Sequence, residues 1–206
     1  DLRAASNRRS CGASWLSGRR TGLASSDDLL SFSMAPDHQQ EWDLPDMQRA
    51  RTLLVHADRG EIEPLIVFPQ PYTATHDYWN PSGERMYCHK KTRPTWTPTW
   101  ICAIDRDTRE ETVLFGSEDV KLGHSGVNPA DTKIVSDSQE PGHNQLFWID
   151  IATGEADVLC WPDSSIEDQL SHVHPSVSPG GSYILYTSDV SGLPQVYLVP
   201  LTEEEQ

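Results

Sequence analysis

Short apolar runs broken by Gly, Pro, Asn and Asp turns, a repeat of about 48 residues and a histidine at the same place in successive repeats predict an all-β chain of β-propeller type. A β-sandwich gives similar strands without the period. The repeat is carried by three segments, 76–83, 124–131 and 174–181, whose prolines Pro81, Pro129 and Pro179 lie 48 and 50 positions apart. Each proline is followed by a turn and a short apolar strand, at residues 85–88, 133–135 and 183–187. A second strand follows at 100–104, 146–149 and 196–199, and in the first two repeats an Asp-rich turn leads to a third, at 112–115 and 156–160. An earlier, incomplete copy shows strands at 52–55 and 64–68 around the turn Asp58-Arg59-Gly60-Glu61. Residues 31–206 therefore amount to three or four blades, a very small ring or part of a larger one, and an open row leaves blade edges exposed for self-association.

The first thirty residues, rich in Ser, Arg, Gly and Ala without periodicity, read as disordered or non-native. Their Arg- and Ser-rich, acid-poor composition also fits an organellar transit peptide, the alternative to a frayed or artificial start.

Net charge is −15, and it is unevenly placed. Five arginines against Asp1 put about +4 in the first 25 residues, so the remainder carries −19. Such a body repels nucleic acid and anionic lipid, and an anionic ligand must be received at a local positive centre, which a bound metal supplies. No apolar run approaches the ~18 residues of a membrane-spanning helix. Cys11, Cys88, Cys102 and Cys160 include no CxxC pair and read as plain thiols, which with the lack of a signal-peptide core fits a reducing, cytoplasmic setting. Gly-rich phosphate loops, GxSxG elbows and HExxH helices are absent.

The sharpest local signal is Gln169-Leu170-Ser171-His172-Val173-His174-Pro175. Alternate residues of an extended chain face one side, so His172 and His174 can present both rings to one ion, and Pro175 biases the residue before it to extended backbone. Gln169 can fold its amide toward the same point. His76, His124 and His174 each lie five residues before the proline of their repeat, so in a propeller they converge around the central axis. The plainer alternative is a preference for a small polar ring at a tunnel mouth. Trp79 and Trp148 read as packing between blades, and His56, His89 and His143 as surface residues. Lys90, Lys91 and Arg93, near Trp96 and Trp100, form a basic patch that reads as a solvated loop rather than a nucleic-acid site.

The runs Thr75-His76-Asp77-Tyr78-Trp79, Gly123-His124-Ser125 with Asn128, Gln169 through Pro179, and Tyr186 through Gly192 together resemble the C-terminal portion of the oligogalacturonate lyase family, over roughly residues 38–201. The resemblance implies part of a seven-bladed β-propeller, predominantly cytoplasmic, that cleaves short pectin-derived uronate oligomers by β-elimination with manganese or another divalent transition metal. It also implies a metal held by His76, Gln169, His172 and His174, with His124 in substrate binding. Four neutral N and O donors leave such an ion its full double charge, and the lack of thiolates argues against structural zinc. Such an ion stabilises the enolate-like species formed when the proton alpha to a carboxylate is removed.

By position in the family, the base that takes this proton falls on His38 and a substrate-binding arginine on Arg49. Gln39-Gln40-Glu41 replaces the family's Glu-Gly-Pro after that histidine. A catalytically inactive, metal-retaining fragment and an interaction module are the alternative functional readings.

Overall fold

The computed structural model describes residues 20–23, 29–33 and 44–203. They form four antiparallel sheets, each a meander in chain order. The first holds β1 (Arg20–Leu23), β2 (Leu29–Ser33), β3 (Thr52–His56) and β4 (Glu61–Ile66), with a single-turn helix α1 (Asp46–Arg49) between β2 and β3. The second holds β5 (Tyr72–Trp79), β6 (Arg85–Thr92), β7 (Thr99–Asp105) and β8 (Glu111–Ser117). The third holds β9 (Leu122–Val127), β10 (Lys133–Ser138), β11 (Leu146–Asp150) and β12 (Ala156–Cys160), and the fourth β13 (Ser176–Val177), β14 (Tyr183–Ser188) and β15 (Gln195–Pro200). This is the arrangement of blades in part of a β-propeller.

Two details differ from the sequence expectation. The first sheet has four strands, two of which, β1 and the start of β2, fall inside the segment 1–30 read as unstructured. The sheet of three strands is instead the last. Residues 1–19, Cys11 among them, lie outside the described residues.

The turns explain the proline period. Asn80 Oδ1 accepts the backbone N–H groups of Glu84 and Arg85 (3.0 Å each), and Asn128 Oδ1 accepts those of Thr132 and Lys133 (2.8 and 3.0 Å). An Asx side chain thus replaces backbone partners where each first strand turns into the second. Two residues after the proline the chain takes positive φ, at Gly83 (71°), Asp131 (58°) and Gly181 (73°), a conformation open to Gly and tolerated by Asp.

Packing follows from strand alternation. Along β6, Met86 and Cys88 point toward the first sheet, where they meet Leu54, Leu65, Ile66 and Phe68. Tyr87 points the other way, toward Leu122, Ile134 and Ile149 of the third sheet. Val135, Leu146 and Trp148 then close on Val173, Ile184 and Leu201. Both faces of the two middle sheets are therefore buried, and each interface removes apolar surface from water at about 25 cal/mol per Å². Trp148 and Trp79 serve this packing as expected. Cys88 and Cys102 face each other across β6 and β7 as free, buried thiols.

Two surface readings are corrected here. His89 is fully buried, because it shares the inward face of β6 with Tyr87. Lys91, two residues further on the same face, is 2% exposed rather than solvated. Lys90 points to the opposite side and pairs with Glu111 at 2.7 Å.

Candidate metal centre and active site

The first strands of the second, third and fourth sheets lie side by side, so their histidines meet. His76 stands in β5 where the register with β6 shifts between Thr75 and Tyr78, and it takes φ 53°. That bulge turns its ring toward His124 of β9, with centroids 4.4 Å apart. His172 and His174 come from the loop before β13, and the His174 ring lies 3.9 Å from that of His124. Gln169 Nε2 is 3.0 Å from His174 Nε2.

The residues brought together are those singled out in the sequence, in a different grouping. Ligand atoms of His124, His172 and His174 all lie within 4.8 Å of one another. His76 stands beside this group, against the His124 ring. His38 lies outside the described residues. Arg49 ties α1 to its surroundings, donating to the carbonyls of Leu44 (3.1 Å) and Phe68 (3.3 Å) and to Asp46 (2.8 Å).

Several features fit the three-histidine group to a divalent transition metal. Metal–nitrogen bonds run about 2.0–2.1 Å, which sets the nitrogens of a tetrahedral donor set about 3.3 Å apart, so donors standing within 4.8 Å of one another need close by up to about 1.5 Å. His172 Nδ1 is buried without a hydrogen-bond partner. Burial, followed by the charge of His124, holds the His172 ring below the usual histidine range, in the neutral form that ligation requires. His124 is oriented from behind by Asp137 of β10, whose Oδ2 lies 3.2 Å from its Nδ1. Gln169 adds a neutral amide at the edge.

His76 has a different environment. Its Nδ1 is buried without a hydrogen-bond partner, and burial, then the charges of His124 and Lys91, push its pKa well below the ordinary value. The ring is held neutral with a nitrogen available. His76, Asp77, Tyr78, His124, Ser125, His174 and Pro175 line a cavity of about 200 Å³. Asp77 anchors the bulge from the far side: Arg51 donates to its Oδ1 through Nε (2.7 Å), Thr52 Oγ1 donates to Oδ2 (2.8 Å), and Ser33 Oγ donates to Oδ2 as well.

Asp137 and Arg51 escaped sequence reasoning, since both reach the site through sheet packing. The one available signal was an acid inside the apolar run Ile134-Val135-Ser136-Asp137.

No family model matches the chain. It is 26% identical over 193 residues to an oligogalacturonate lyase of Dickeya dadantii (strain 3937), a match covering 86% of this chain and 48% of the relative. It is 25% identical, with the same coverage, to an oligogalacturonide lyase of Pectobacterium atrosepticum. Among solved structures, an oligogalacturonate lyase in complex with manganese superposes with a TM-score of 0.73 at 25% identity, over 87% of this chain and 47% of that one. TolB from Acinetobacter baumannii gives 0.58 at 15% identity, over 74% and 36%, a likeness of fold. The chain is thus part of a β-propeller with a cluster of histidines where its inner strands meet. In sequence and structure it is a relative of the oligogalacturonate lyases, and it spans about half the length of the curated relatives it matches. Among the described residues no helix is long and apolar enough to cross a membrane.

Proposed function

We propose that this chain carries the metal and proton-transfer site of a lyase that cleaves short galacturonate oligomers by β-elimination. The observation that supports this most directly is a three-histidine donor group beside a buried histidine, with His76, His124 and His174 lining one cavity, in a relative of oligogalacturonate lyases. His124, His172 and His174, with Gln169 at the edge, would hold a divalent ion; manganese is favoured because a similar structure is a manganese complex. When bound, the ion draws charge from the substrate carboxylate and so acidifies the proton alpha to it.

His76 is the residue proposed to take that proton. A general base must stand within hydrogen-bond reach and be neutral before the reaction, and His76 lines the cavity with a burial-favoured neutral ring. The C5–H electron pair becomes the C4=C5 double bond, the C4–O bond breaks with its pair on the leaving oxygen, and a proton is returned there. The bulge that aims His76 is held by Asp77 on Arg51 and Thr52, so the base need not reorganise during the reaction. The family resemblance gives this role to His38 and a metal contact to His76; the grouping of donor atoms favours the assignment made here. His124 then serves as a ligand rather than a substrate contact, and the free thiols Cys88, Cys102 and Cys160 suit a reducing cytoplasm.

The test is turnover of digalacturonate by the purified chain with saturating manganese, followed by the ultraviolet absorbance of the new double bond conjugated with the carboxylate. Absorbance should rise with manganese and vanish with a chelator. Reducing-end release without that absorbance would point to hydrolysis and overturn the reading.

A further inference from the structure

The interface between one sheet and the next is built the same way each time, and its two halves recur at the two ends of the row. In antiparallel strands directly opposed residues share a face. The pair Tyr87–Ala103 of the second sheet looks toward the third, and the pair Val135–Trp148 of the third looks toward the fourth. Both pairs are buried by the sheet that follows. Tyr87 and Val135 each stand six residues after the proline of their repeat, and the residue at that place in the fourth sheet is Leu185, paired with Leu198. No further sheet follows among the described residues, and Leu198 is 59% exposed where Trp148 is 5%. Tyr183 and Val196 lie exposed on the same face, whereas Ile184 and Val199 on the other side pack on the third sheet.

The first sheet has the opposite half. Leu54 looks toward the second sheet, as does Ser31, whose Oγ accepts the indole N–H of Trp79 at 3.0 Å. Their strand neighbours look away: Leu30 pairs with Val55 and Val55 with Ile62, while Phe32 pairs with Leu53 and Leu53 with Pro64. These two apolar rows occupy the side that carries Met86, Ile134 and Ile184 in the later sheets, where it receives the sheet before. Ile62 is 54% exposed. Although the chain carries −15, neither the two rows nor the face of Tyr183, Leu185, Val196 and Leu198 includes a charged residue. Contiguous apolar surface of this kind marks an interface.

We propose that these faces close on each other between two copies of this chain, the fourth sheet of each copy packing on the first sheet of the other. The contact joins two different faces, and a twofold axis repeats it, so neither face is left over. The product is a ring of eight sheets, within the roughly four to eight of closed propellers. What Leu185 and Leu198 need opposite them is the receiving side of a propeller sheet, and this chain itself displays one; a partner of other chemistry would have to imitate it. Once one interface has formed the second is intramolecular, which favours the two-copy ring over longer rows. Ring closure depends on the fold alone, so the lyase reading stands whether or not the copies associate.

The test is sedimentation velocity with light scattering on the purified chain and its Leu198→Asp, Ile62→Lys and Val113→Asp variants from about 1 to 100 μM, with folding checked by circular dichroism. All three side chains are more than half exposed, so the variants should fold. The native chain should have twice the 23.1 kDa mass of one copy. Leu198→Asp and Ile62→Lys should each raise the dissociation constant about 100-fold or more, because each puts a charge into both apolar interfaces. Val113→Asp, in the second sheet and outside both faces, should leave the mass unchanged. A mixture of Leu198→Asp with Ile62→Lys should recover a two-copy species, since one interface of the mixed pair is native. A native chain of single-copy mass throughout overturns the proposal and leaves the faces to another occupant, further propeller sheets or a different protein. A dimer undiminished by Ile62→Lys, the mark of two fourth sheets packed on each other, overturns it as well, and a mass that climbs beyond two copies with concentration overturns ring closure.

Discussion

Asp137 Oδ2 lies 3.2 Å from His124 Nδ1 while its other oxygen accepts the His124 backbone N–H, so one buried carboxylate fixes both the ring and the strand that carries it. The side chain of Asp137 is 2% exposed. A carboxylate on Nδ1 selects the tautomer protonated there and leaves Nε2 as the ligand atom.

Asp137→Asn should therefore lower manganese affinity about 10- to 100-fold with the metal-free fold retained, measured by calorimetric titration. Gly123 offers an independent check. A Cβ there would collide with the Asp137 carboxylate, so Gly123→Ala should displace the acid and weaken metal binding in the same direction. Unchanged affinity in both variants would make Asp137 a purely structural acid.

The division between ligand and base is separable by experiment. His172→Ala should lose both metal and turnover, since His172 belongs to the donor group. His76→Ala should keep the metal, within a few-fold, and lose turnover by ~100- to 10,000-fold, the usual contribution of a general base. His38→Ala is the control for the family-derived assignment. Loss of metal in His76→Ala would return His76 to the ligands, and loss of turnover in His38→Ala with His76→Ala active would return the base to His38.

Asp77 should be a stability residue as well as an anchor. Its side chain is 1% exposed and that of Arg51 10%, with Nη2 to Oδ1 at 2.7 Å. Asp77→Ala removes the buried carboxylate that Arg51 and Thr52 share and should cost about 3–5 kcal/mol in denaturant unfolding, whereas replacing both partners of the ion pair by apolar residues should cost much less. An equal loss in the single and double variants would show that the ion pair itself carries little.

What is legible in the sequence is local. The Asn80 and Asn128 turns and the Gly83, Asp131 and Gly181 backbone reversals involve neighbours along the chain, so the 48 and 50 residue spacing of their prolines marks the blades in the sequence alone. The convergence of His76, His124, His172 and His174 follows from the same period. Which of them group as ligands is not legible, because that depends on the bulge at His76 and on packing between sheets. The first half of the first blade is hidden for a related reason: the strand Leu29–Ser33 mixes leucine and serine, and its pairing with Thr52–His56 spans a gap that periodicity does not bridge. Burial of His89 and Lys91 is concealed because both faces of β6 are covered, which removes the polar alternation expected of a surface strand.

Lys91 gives a pH dependence of known sign. Burial first, then the charge of Lys121, lowers its pKa from 10.5 to about 7, while Asp137 acts in the opposite direction. Between these values the unfolded chain holds a proton that the folded chain has released, so this residue makes stability rise with pH from 7 toward 10.5, and its penalty is fully present below pH 7. The thiols of Cys88 and Cys102, which burial pushes up, oppose that trend once unfolded cysteine begins to ionise near ~8.5. The clean comparison is therefore between the native chain and Lys91→Met from about pH 6 to 8.5. Lys91→Met also loses the donor to Leu122 O, a cost that does not vary with pH over this range. The stability difference between variant and native chain should favour the variant most at about pH 6–7 and shrink by about 1–2 kcal/mol by about pH 8.5, at ~1.4 kcal/mol per unit for one proton. A difference that stays constant across the range would mean that Lys91 keeps its proton in the folded state, with Asp137 as its effective counter-charge.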